Sequence, residues 1–342
     1  MENVYITPDL LKRLEQKNIQ IKDTGEYKKI SVMLVDMRGF SHLLLRLNAS
    51  KVHKLLDLYF RMLVSVVHRY DGIVDKFIGD GMMAVWGLPI EKKMDLYNSI
   101  RAGIEIRIGM FRLIPELVSI GEVPLEIGIG IGTGNVLAGF MGPHSRREFT
   151  LVGNCINRAA RLQSIAFDNR IFIDEKSGQE AKAYTYRIYL PQTKRPNIFK
   201  DEKISEVEGI YELNPDYEKL RRHPRVIVAK VGGIQKINEK HRRAALIKSI
   251  GEGGIGIEMH EKGAKGIGIG DNIIIDCRKL KIFGINKAKG IVVRKKELTG
   301  SGIYRLKTWD IGVKFLEIPE ETKNRLYKVL VGKDLVQSMI SK

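Results

Sequence analysis

Two aspartates at the ends of apolar segments could bind divalent cations. Asp36 closes an apolar run that starts near Lys29, and Asp80 lies at the glycine-flanked tip of a predicted hairpin. If their strands are neighbours, both carboxylates meet at one edge of a sheet, where they repel each other unless cations bridge them. Hard oxygen ligands of this kind favour Mg²⁺ or Mn²⁺ over zinc. Taken alone, the pair also fits ordinary turn chemistry, because aspartate is common in turns.

The apolar spacing around these aspartates predicts the elements that position them. After a short helical lead-in, the pattern predicts a strand at 29–36, a helix from the N-cap Ser50 to about Tyr70, strands at 73–77 and 82–86, a helix at 95–111 and a strand at 125–131. This βαββαβ order is the ferredoxin-like arrangement of an α+β fold, in which helices cover one face of a sheet. A strand at 148–152, a helix at 154–164 and further strands to residue 213 follow.

Charge separates the chain into two parts. The 58 Lys and Arg residues outnumber the 40 Asp and Glu residues and give a net charge of +18. Residues 219–342 hold 28 basic and 12 acidic residues, a net charge of +16, whereas residues 1–218 are close to neutral at +2. A basic balance suggests acidic partners such as nucleic acid, nucleotides or an anionic membrane. We predict a lead-in at 1–27, a first domain at 28–214 and a basic second domain at 219–342.

The basic part has short apolar segments separated by glycine-rich turns. They predict strands at 226–230, 244–249, 255–259, 272–276, 289–294, 302–307 and 311–315, with a closing helix at 319–331. This pattern is typical of a small β-barrel. The two cysteines, Cys155 and Cys277, lack metal-ligand spacing, and no apolar run approaches the ~18 residues of a membrane span. We expect a soluble cytoplasmic protein.

Four ordered stretches of the first part carry a family resemblance. They are VDMRGFS at 35–41, DKFIGDGMMAVWG at 75–87, GIGIGTGNVLAGFMG at 128–142 and REFTLVGNCINRAARLQ at 147–163. In this order they resemble the four signature blocks of class III nucleotidyl cyclases, over roughly residues 29–213. The alternating glycines of the third stretch do not form a GxGxxG fingerprint between a strand and a helix, which argues against a dinucleotide-binding fold.

The resemblance implies a site that binds two metal ions and takes its residues from two subunits. Asp36 and Asp80 would bind two divalent cations, Mg²⁺ or Mn²⁺, and Met37 would lend its backbone carbonyl. One cation would activate the ribose 3′-hydroxyl and the other would hold the triphosphate. Asn157 and Arg161, one helical turn apart, would orient the ribose and stabilise charge on the α-phosphate. In the family these two groups come from different subunits, so a head-to-tail homodimer is expected.

The resemblance also implies the base and the phosphate contacts. Lys76 matches the position where adenylyl cyclases have a lysine that donates to the adenine edge and guanylyl cyclases have a glutamate. Thr150 matches the second selecting position, where the family has Asp or, in one subgroup, Thr. Both imply ATP as the substrate. Further substrate contacts fall on Phe40, on Arg146 or its neighbour Arg147, and on a terminal lysine that is Lys194 or Lys200.

The basic part resembles PilZ domains, small barrels that bind cyclic di-GMP through an RxxxR segment and a later [DN]xSxxG turn. Arg221 and Arg225 match the first motif, and guanidinium groups can bind phosphates and stack on guanine. The second motif is altered, with Ser249 in place of Asp or Asn, Gly251 in place of Ser, and only Gly254 retained. The residues implied for cyclic di-GMP are Arg221, Arg222, Arg225, Ser249, Gly251 and Gly254.

Three functions follow from these features. The first is an adenylate cyclase with ATP as substrate, regulated by the PilZ-like barrel and its possible ligand cyclic di-GMP. The second is a guanylate cyclase, against which Lys76 argues. The third is a non-catalytic protein that binds nucleic acid or a membrane surface through the basic barrel. Few aromatic side chains interleave with the basic residues there, so we expect no stable nucleic-acid or membrane partner.

Overall fold

The fold is described from a computed structural model. It describes residues 4–21, 25–120, 125–191, 199, 202–211, 225–276, 278, 285–298, 307–318, 320–322, 324 and 326. The strands are β1 (Val4–Tyr5), β2 (Glu26–Met37), β3 (Ile73–Ile78), β4 (Gly81–Trp86), β5 (Ile127–Met141), β6 (Arg147–Val152), β7 (Ile171–Asp174), β8 (Thr185–Tyr189), β9 (Ile204–Tyr211), β10 (Arg225–Lys236), β11 (Arg243–Gly251), β12 (Gly254–His260), β13 (Asn272–Asp276), β14 (Lys287–Leu298) and β15 (Thr308–Glu317). The helices are α1 (Pro8–Lys17), α2 (Phe40–Leu44), α3 (Ala49–Arg69), α4 (Asp95–Ile120), α5 (Asn154–Ser164), α6 (Glu175–Glu180) and α7 (Glu261–Ala264). None of the described helices has the length and apolar character that crossing a bilayer requires.

The described residues fall into two compact units. The first lies within Met1–Ile106, Leu125–Ala181 and Arg187–Val207, and the second within Arg107–Pro124, Lys182–Tyr186 and Glu208–Lys342. Helix α4 therefore contributes its residues up to Ile106 to the first unit and those from Arg107 to the second.

The first unit is built on a sheet with the strand order β3-β4-β2-β5-β7. β2 pairs antiparallel with β4 on one side and with β5 on the other, and β3 pairs antiparallel with β4. Helix α3 connects β2 to β3, and α4 connects β4 to β5. This is the predicted βαββαβ order. The register sets Asp36 opposite Gly128 on β5, and Val35 opposite Met82 on β4.

Two predicted boundaries were wrong in this unit. The N-cap of α3 is Asn48 rather than Ser50, because the Asn48 side chain accepts a hydrogen bond from the backbone N–H of Lys51 at 3.0 Å. The strand predicted at 125–131 continues to Met141, where its last residues pair with β6.

Alternate glycines of β5 allow helix α5 to lie directly on the strand. A Cβ added to Gly130 would lie 2.0 Å from the carbonyl oxygen of Ala159, and one on Gly132 would lie 2.7 Å from that of Cys155. On the opposite face, Ile127, Ile129 and Ile131 are fully buried. Since side chains alternate across a strand, the glycine stripe packs against α5 while the isoleucines fill the core.

The N-terminal elements pack on the same unit. β1 pairs parallel with β6, setting Val4 opposite Arg147 and Tyr5 opposite Glu148. Helix α1 is capped by the Thr7 side chain and buries Leu10 and Leu14 in an apolar cluster that includes residues of β2, β4 and β6. The lead-in is thus an integral part of the first unit.

Six strands of the second unit close into an antiparallel barrel in the order β10-β11-β12-β15-β14-β13, with β13 returning to β10. The barrel prediction is confirmed. Isoleucines dominate the interior. Of the predicted strand at 302–307, only Lys307 is described, and it is not in a strand. Of the predicted closing helix at 319–331, the described residues 320–322, 324 and 326 are helical.

Helix α4 continues past its predicted end at Phe111 and contains Pro115. Proline has no N–H to donate to the carbonyl four residues earlier, which belongs to Phe111. His260 fills this gap, because its Nε2 lies 2.9 Å from the Phe111 carbonyl oxygen and its ring stacks on the Phe111 ring. Next along the helix, Arg112 donates two hydrogen bonds to the fully buried carboxylate of Glu258, at 2.6 and 2.9 Å.

Candidate active site

Asp36 and Asp80 meet at one edge of the sheet. Asp36 is the penultimate residue of β2, and Asp80 lies in the turn between β3 and β4. The Asp80 carboxylate accepts a hydrogen bond from the backbone N–H of Met37 at 3.3 Å. Burial, followed by the neighbouring Asp36 carboxylate, raises the pKa of Asp80 to about 6. Two carboxylates held this close form a natural site for a cation.

The end of helix α5 supports Asp36. Gln163 donates a hydrogen bond to the Asp36 carboxylate at 3.3 Å. Arg38, two residues after Asp36, donates to the backbone carbonyls of Gln163 and Ala166, the latter at 2.8 Å. Its guanidinium also lies 4.9 Å from the ring centre of Phe167. The sequence analysis did not single out either Arg38 or Gln163, although both lie inside the quoted blocks.

The buried hydroxyl of Tyr59 bears on whether a hydrated cation fits at Asp36 and Asp80. Its side chain is 2% exposed, and its hydroxyl has no hydrogen-bond partner among the described residues. Burial raises its pKa well above the usual value, and the charges of Asp36 and Asp80 raise it further. A buried unpaired hydroxyl costs about 1–3 kcal/mol. Cation-bound water would supply the missing partner.

The donor set fits Mg²⁺ or Mn²⁺. Within the described residues, no cluster of three or more His, Cys, Asp or Glu side chains surrounds a common point. Mg²⁺ is usually held by one or two carboxylates together with substrate phosphates, rather than by an all-protein cage. Asp36 and Asp80 meet that requirement, whereas zinc would demand more protein ligands.

Asn157 and Arg161 lie exposed on α5, and in the described part of the chain neither side chain has a hydrogen-bond or ion-pair partner. At about 100° per residue they are roughly 40° apart around the helix axis, so they share a face. Gln163, which contacts Asp36, is about 160° away from Arg161 and about 120° away from Asn157 by the same rule. The pair therefore faces away from the carboxylates of its own chain.

Lys76 lies on β3 between two carboxylates. Its Nζ is 3.3 Å from the Glu148 carboxylate and 3.5 Å from that of Asp75. Thr150 follows Glu148 by two residues on β6, and its hydroxyl donates to the Glu148 backbone carbonyl at 3.1 Å. Glu148 and Asp75 were missed in the sequence analysis. The signal for Glu148 was its position two residues before Thr150, which places both side chains on one face of the strand.

The remaining predicted substrate contacts are spread around this region. Phe40 is half-buried in the first turn of α2. Arg146 is exposed beside Tyr5, with its guanidinium 5.6 Å from the ring centre, and Arg147 begins β6. Both candidates for the terminal lysine, Lys194 and Lys200, lie outside the described residues.

In the barrel, part of the predicted ligand motif comes together. Arg225 pairs with Gly251 across β10 and β11, and its guanidinium donates to the Ser249 hydroxyl at 3.4 Å. Gly254 has a packing role, because a Cβ there would lie 2.1 Å from the carbonyl oxygen of Val313. Arg221 and Arg222 lie outside the described residues.

Comparison with known proteins finds relatives of part of the chain. Two uncharacterized proteins of Mycobacterium tuberculosis, Rv1320c and Rv1319c, are 32% identical over 142 residues and 33% identical over 143 residues. Each alignment covers 42% of this chain, and 24% and 25% of the respective relatives. The chain thus spans about a quarter of the length of the curated relatives it matches.

Two solved cyclase structures are similar to part of this chain. The adenylyl cyclase CyaB from P. aeruginosa is similar with a TM-score of 0.51 and 29% identity, covering 56% of this chain and 97% of its own. The guanylyl cyclase Cya2 is similar with a TM-score of 0.50 and 26% identity, covering 57% and 97%. The family model for the adenylate and guanylate cyclase catalytic domain matches residues 22–195. The chain belongs to the adenylate and guanylate cyclase family.

Proposed function

We propose that the protein is an adenylate cyclase that converts ATP to 3′,5′-cyclic AMP and pyrophosphate. The observation that carries the proposal is the meeting of Asp36 and Asp80 at one sheet edge of a cyclase-family domain. Lys76 supports ATP over GTP as the substrate, because a lysine donates to an acceptor on the adenine edge.

Asp36 and Asp80 would hold two divalent cations, which when bound supply Lewis-acid activation of the 3′-hydroxyl and neutralise charge on the triphosphate. The work of the protein is then positioning and electrostatics. Arg161 would place its guanidinium on the α-phosphate, where negative charge builds in the transition state. Asn157 would orient the ribose so that the 3′-hydroxyl lies in line with the bond to pyrophosphate.

These residues would come from two copies of the chain. Asn157 and Arg161 are exposed and face away from the carboxylates of their own chain, as the helical angles above require. A head-to-tail homodimer brings this face of one copy to the carboxylates of the other and creates two equivalent sites. A single copy holds only half of each site, so an isolated monomer should be inactive.

The test is product formation by the purified full chain. With Mn²⁺ or Mg²⁺ and ATP, we expect cyclic AMP and pyrophosphate in equal amounts, and no product from Asp80→Ala. The same assay with GTP separates the two cyclase classes. A higher kcat/KM with GTP would replace the proposal with a guanylate cyclase, and no cyclic nucleotide from either substrate would reject both.

For the barrel, we propose a regulatory role through binding of cyclic di-GMP. The supporting observation is that Arg225 and Ser249 hydrogen-bond to each other on neighbouring strands. A guanidinium group and a hydroxyl thus lie together, and both can donate hydrogen bonds to a phosphodiester. The experiment is calorimetry of the full chain with cyclic di-GMP, because residues of α4 belong to the same unit as the barrel. Loss of the binding heat in Arg225→Ala is expected, and the absence of heat in the unmutated chain would refute the proposal.

A further inference from the structure

One end of the barrel carries three exposed aliphatic side chains. They are Ile237, Ile269 and Val293, and we call the surface that they define the apolar end. The backbone N–H of Ile237 donates to the carbonyl of Asn272 at 3.1 Å, at the start of β13. The N–H of Gly270 donates to the carbonyl of Val292 at 2.8 Å, which ties the chain neighbours of the other two aliphatic residues together. Single exposed aliphatic residues are common, whereas a group of them indicates an interaction surface.

The loop that carries Ile269 has a fixed shape. It turns at Gly266 and Gly270, whose φ angles of +79° and +92° favour glycine. Lys295 donates to the carbonyl of Ile267 at 2.7 Å. Ile267 is buried in the core of the barrel, whereas Ile269, two residues later, is 69% exposed. The loop thus directs one isoleucine inward and presents the other to solvent.

A lysine and an aspartate fix the same loop from a second direction. The Nζ atom of Lys236 lies 3.0 Å from the Asp271 carboxylate and donates to the carbonyl of Gly266 at 3.1 Å. The Asp271 carboxylate also accepts from the N–H of Gly268 at 2.7 Å. Because the loop is already ordered, little conformational entropy is lost when Ile269 meets a partner.

The charge around the apolar end is positive. Three exposed lysines there have no ion-pair or hydrogen-bond partner in the described part of the chain, namely Lys240 in the turn after β10, Lys262 in α7 and Lys265 just after α7. On the same turns, Glu239 is paired with Arg243 at 2.6 Å. Asp271 is paired with Lys236, which leaves Glu261 to offset the three lysines. The surface therefore keeps an excess of positive charge.

Exposed aliphatic side chains among unpaired lysines match the surface of an anionic bilayer. Aliphatic groups enter the boundary between headgroups and acyl chains, while the ammonium groups of lysines stay at the headgroups. Single-stranded nucleic acid fits this surface less well, because its bases stack on aromatic rings. None of the exposed large apolar side chains on the described strands and loops of the barrel is aromatic.

We infer that the apolar end docks reversibly on anionic membranes, with Ile269 inserted among the lipids and the three lysines at the headgroups. This revises the expectation of no stable membrane partner, because Ile237, Ile269 and Val293 are at least 24 residues apart and only the fold gathers them. The docking requires neither cyclase chemistry nor cyclic di-GMP. Arg225 begins β10 whereas Ile237 follows its last residue, so the two proposed sites lie at opposite ends of the barrel.

The first experiment is co-sedimentation of the full chain with vesicles of phosphatidylcholine alone or mixed with phosphatidylglycerol. We expect binding to the mixed vesicles only. Ile269→Glu should weaken it by about 10-fold or more, because an apolar side chain is withdrawn from the membrane and a negative charge is added. Ile269→Leu should bind as the unmutated chain does. Leu316→Glu is the matched control, because it adds the same charge at an exposed aliphatic position near the opposite end of the barrel.

The second experiment measures the contribution of the lysines. Lys262→Gln and Lys265→Gln should each weaken binding to the mixed vesicles by about 5-fold, the usual contribution of one lysine at an anionic surface. Added salt should weaken the binding of the unmutated chain, because it screens exposed charges. Lys314→Gln, an exposed position near the opposite end of the barrel, should have little effect.

The third experiment reports insertion directly. In Ile269→Trp, the fluorescence should shift to shorter wavelengths when mixed vesicles are added, and brominated lipids should quench it. The unmutated chain, with Trp86 and Trp309, gives the background signal. An unchanged thermal midpoint in Ile269→Glu would show that its loss of binding does not come from unfolding.

Several outcomes would overturn the inference. If Leu316→Glu loses as much binding as Ile269→Glu, added charge alone explains the loss. If Ile269→Glu binds as well as the unmutated chain, or if Ile269→Trp shows no shift, the isoleucine does not enter the membrane. A chain that sediments with neither kind of vesicle but binds duplex DNA would assign the lysines to nucleic acid instead.

Discussion

Complementation between two inactive variants tests the central feature of the proposed mechanism. Asp36→Ala removes a carboxylate from the proposed cation site, and Asn157→Ala removes the group proposed to orient the ribose. If each site takes its carboxylates from one copy and its α5 residues from the other, a mixed dimer of the two variants keeps one intact site. The second site of that dimer carries both defects.

The expected recovery follows from counting dimers. With equal amounts and free exchange, about half of the dimers are mixed, and each has one working site of two, so total activity should reach about a quarter of the unmutated level. Mixed dimers isolated through two different affinity tags should reach about half. The assay is release of cyclic AMP from ATP at saturating Mn²⁺, with each parent measured at the same concentration.

A matched pair of variants controls for non-specific rescue. Asp36→Ala and Asp80→Ala lie on the same side of the shared site, so no mixture of these two contains an intact site, and activity should stay at the parental level. Recovery in this control pair would undermine the assignment of both carboxylates to one copy. Failure of Asp36→Ala and Asn157→Ala to exceed either parent, despite isolation of mixed dimers, would refute the shared-site geometry.

Three further predictions concern packing, helix α4 and the carboxylate pair. Gly130→Ala should destabilise the protein by about 1–3 kcal/mol and lower cyclase activity, because the added Cβ would lie 2.0 Å from a backbone oxygen of α5 and displace that helix. His260→Phe should cost about 1–3 kcal/mol in free energy of unfolding, but little in a Pro115→Ala background, where the restored N–H can satisfy the same carbonyl. Since the pKa of Asp80 is raised to about 6 in the folded state, its ionisation opposes folding above that pH, and Asp80→Asn should raise the thermal midpoint of the metal-free protein at pH 8 but not near pH 4.

Each of these has an outcome that contradicts it. Normal activity and stability in Gly130→Ala would mean that α5 does not lie directly on β5. Equal costs of His260→Phe with and without Pro115 would show that the His260 hydrogen bond does not compensate for the N–H that proline lacks. Chemical denaturation measures both. For Asp80, calorimetric scans at pH 4 and pH 8 measure the thermal midpoints of the unmutated protein and of Asp80→Asn. Added Mn²⁺ should remove the difference between these midpoints at pH 8, because a bound cation offsets the repulsion between the carboxylates.

Local patterns predicted the elements of the first unit well. The strand and helix periods differ, so the order βαββαβ could be read directly, and with it the meeting of Asp36 and Asp80. The apolar pattern could not decide which residue is the N-cap of α3. Asn48 and Ser50 are both good caps, and only the hydrogen bond from the Lys51 N–H distinguishes them.

Contacts between distant parts of the chain could not be predicted. The predicted strand at 125–131 stops before Gly132 and Gly134, whereas the observed strand continues through them. Glycine ordinarily weakens strands, but here the missing side chains make room for α5. Pro115 should end a helix, but α4 continues because His260, far along the chain, satisfies the orphaned carbonyl. Tyr59 fits an ordinary core position of an amphipathic helix, and the sequence could not show that its buried hydroxyl has no hydrogen-bond partner among the described residues.

The proposed cyclase site depends on contacts that helix α5 makes with distant parts of the chain. Its inner face lies on the glycines of β5, its C-terminal end holds Asp36 through Gln163, and its outer face exposes Asn157 and Arg161. The glycine stripe therefore sets the position of both halves of the site at once. Any side chain on that stripe would move the support of one copy's carboxylates and, in the proposed dimer, the transition-state residues offered to the other copy. Activity should then fall more steeply than stability in variants of the stripe, because two half-sites are misaligned by a single displacement.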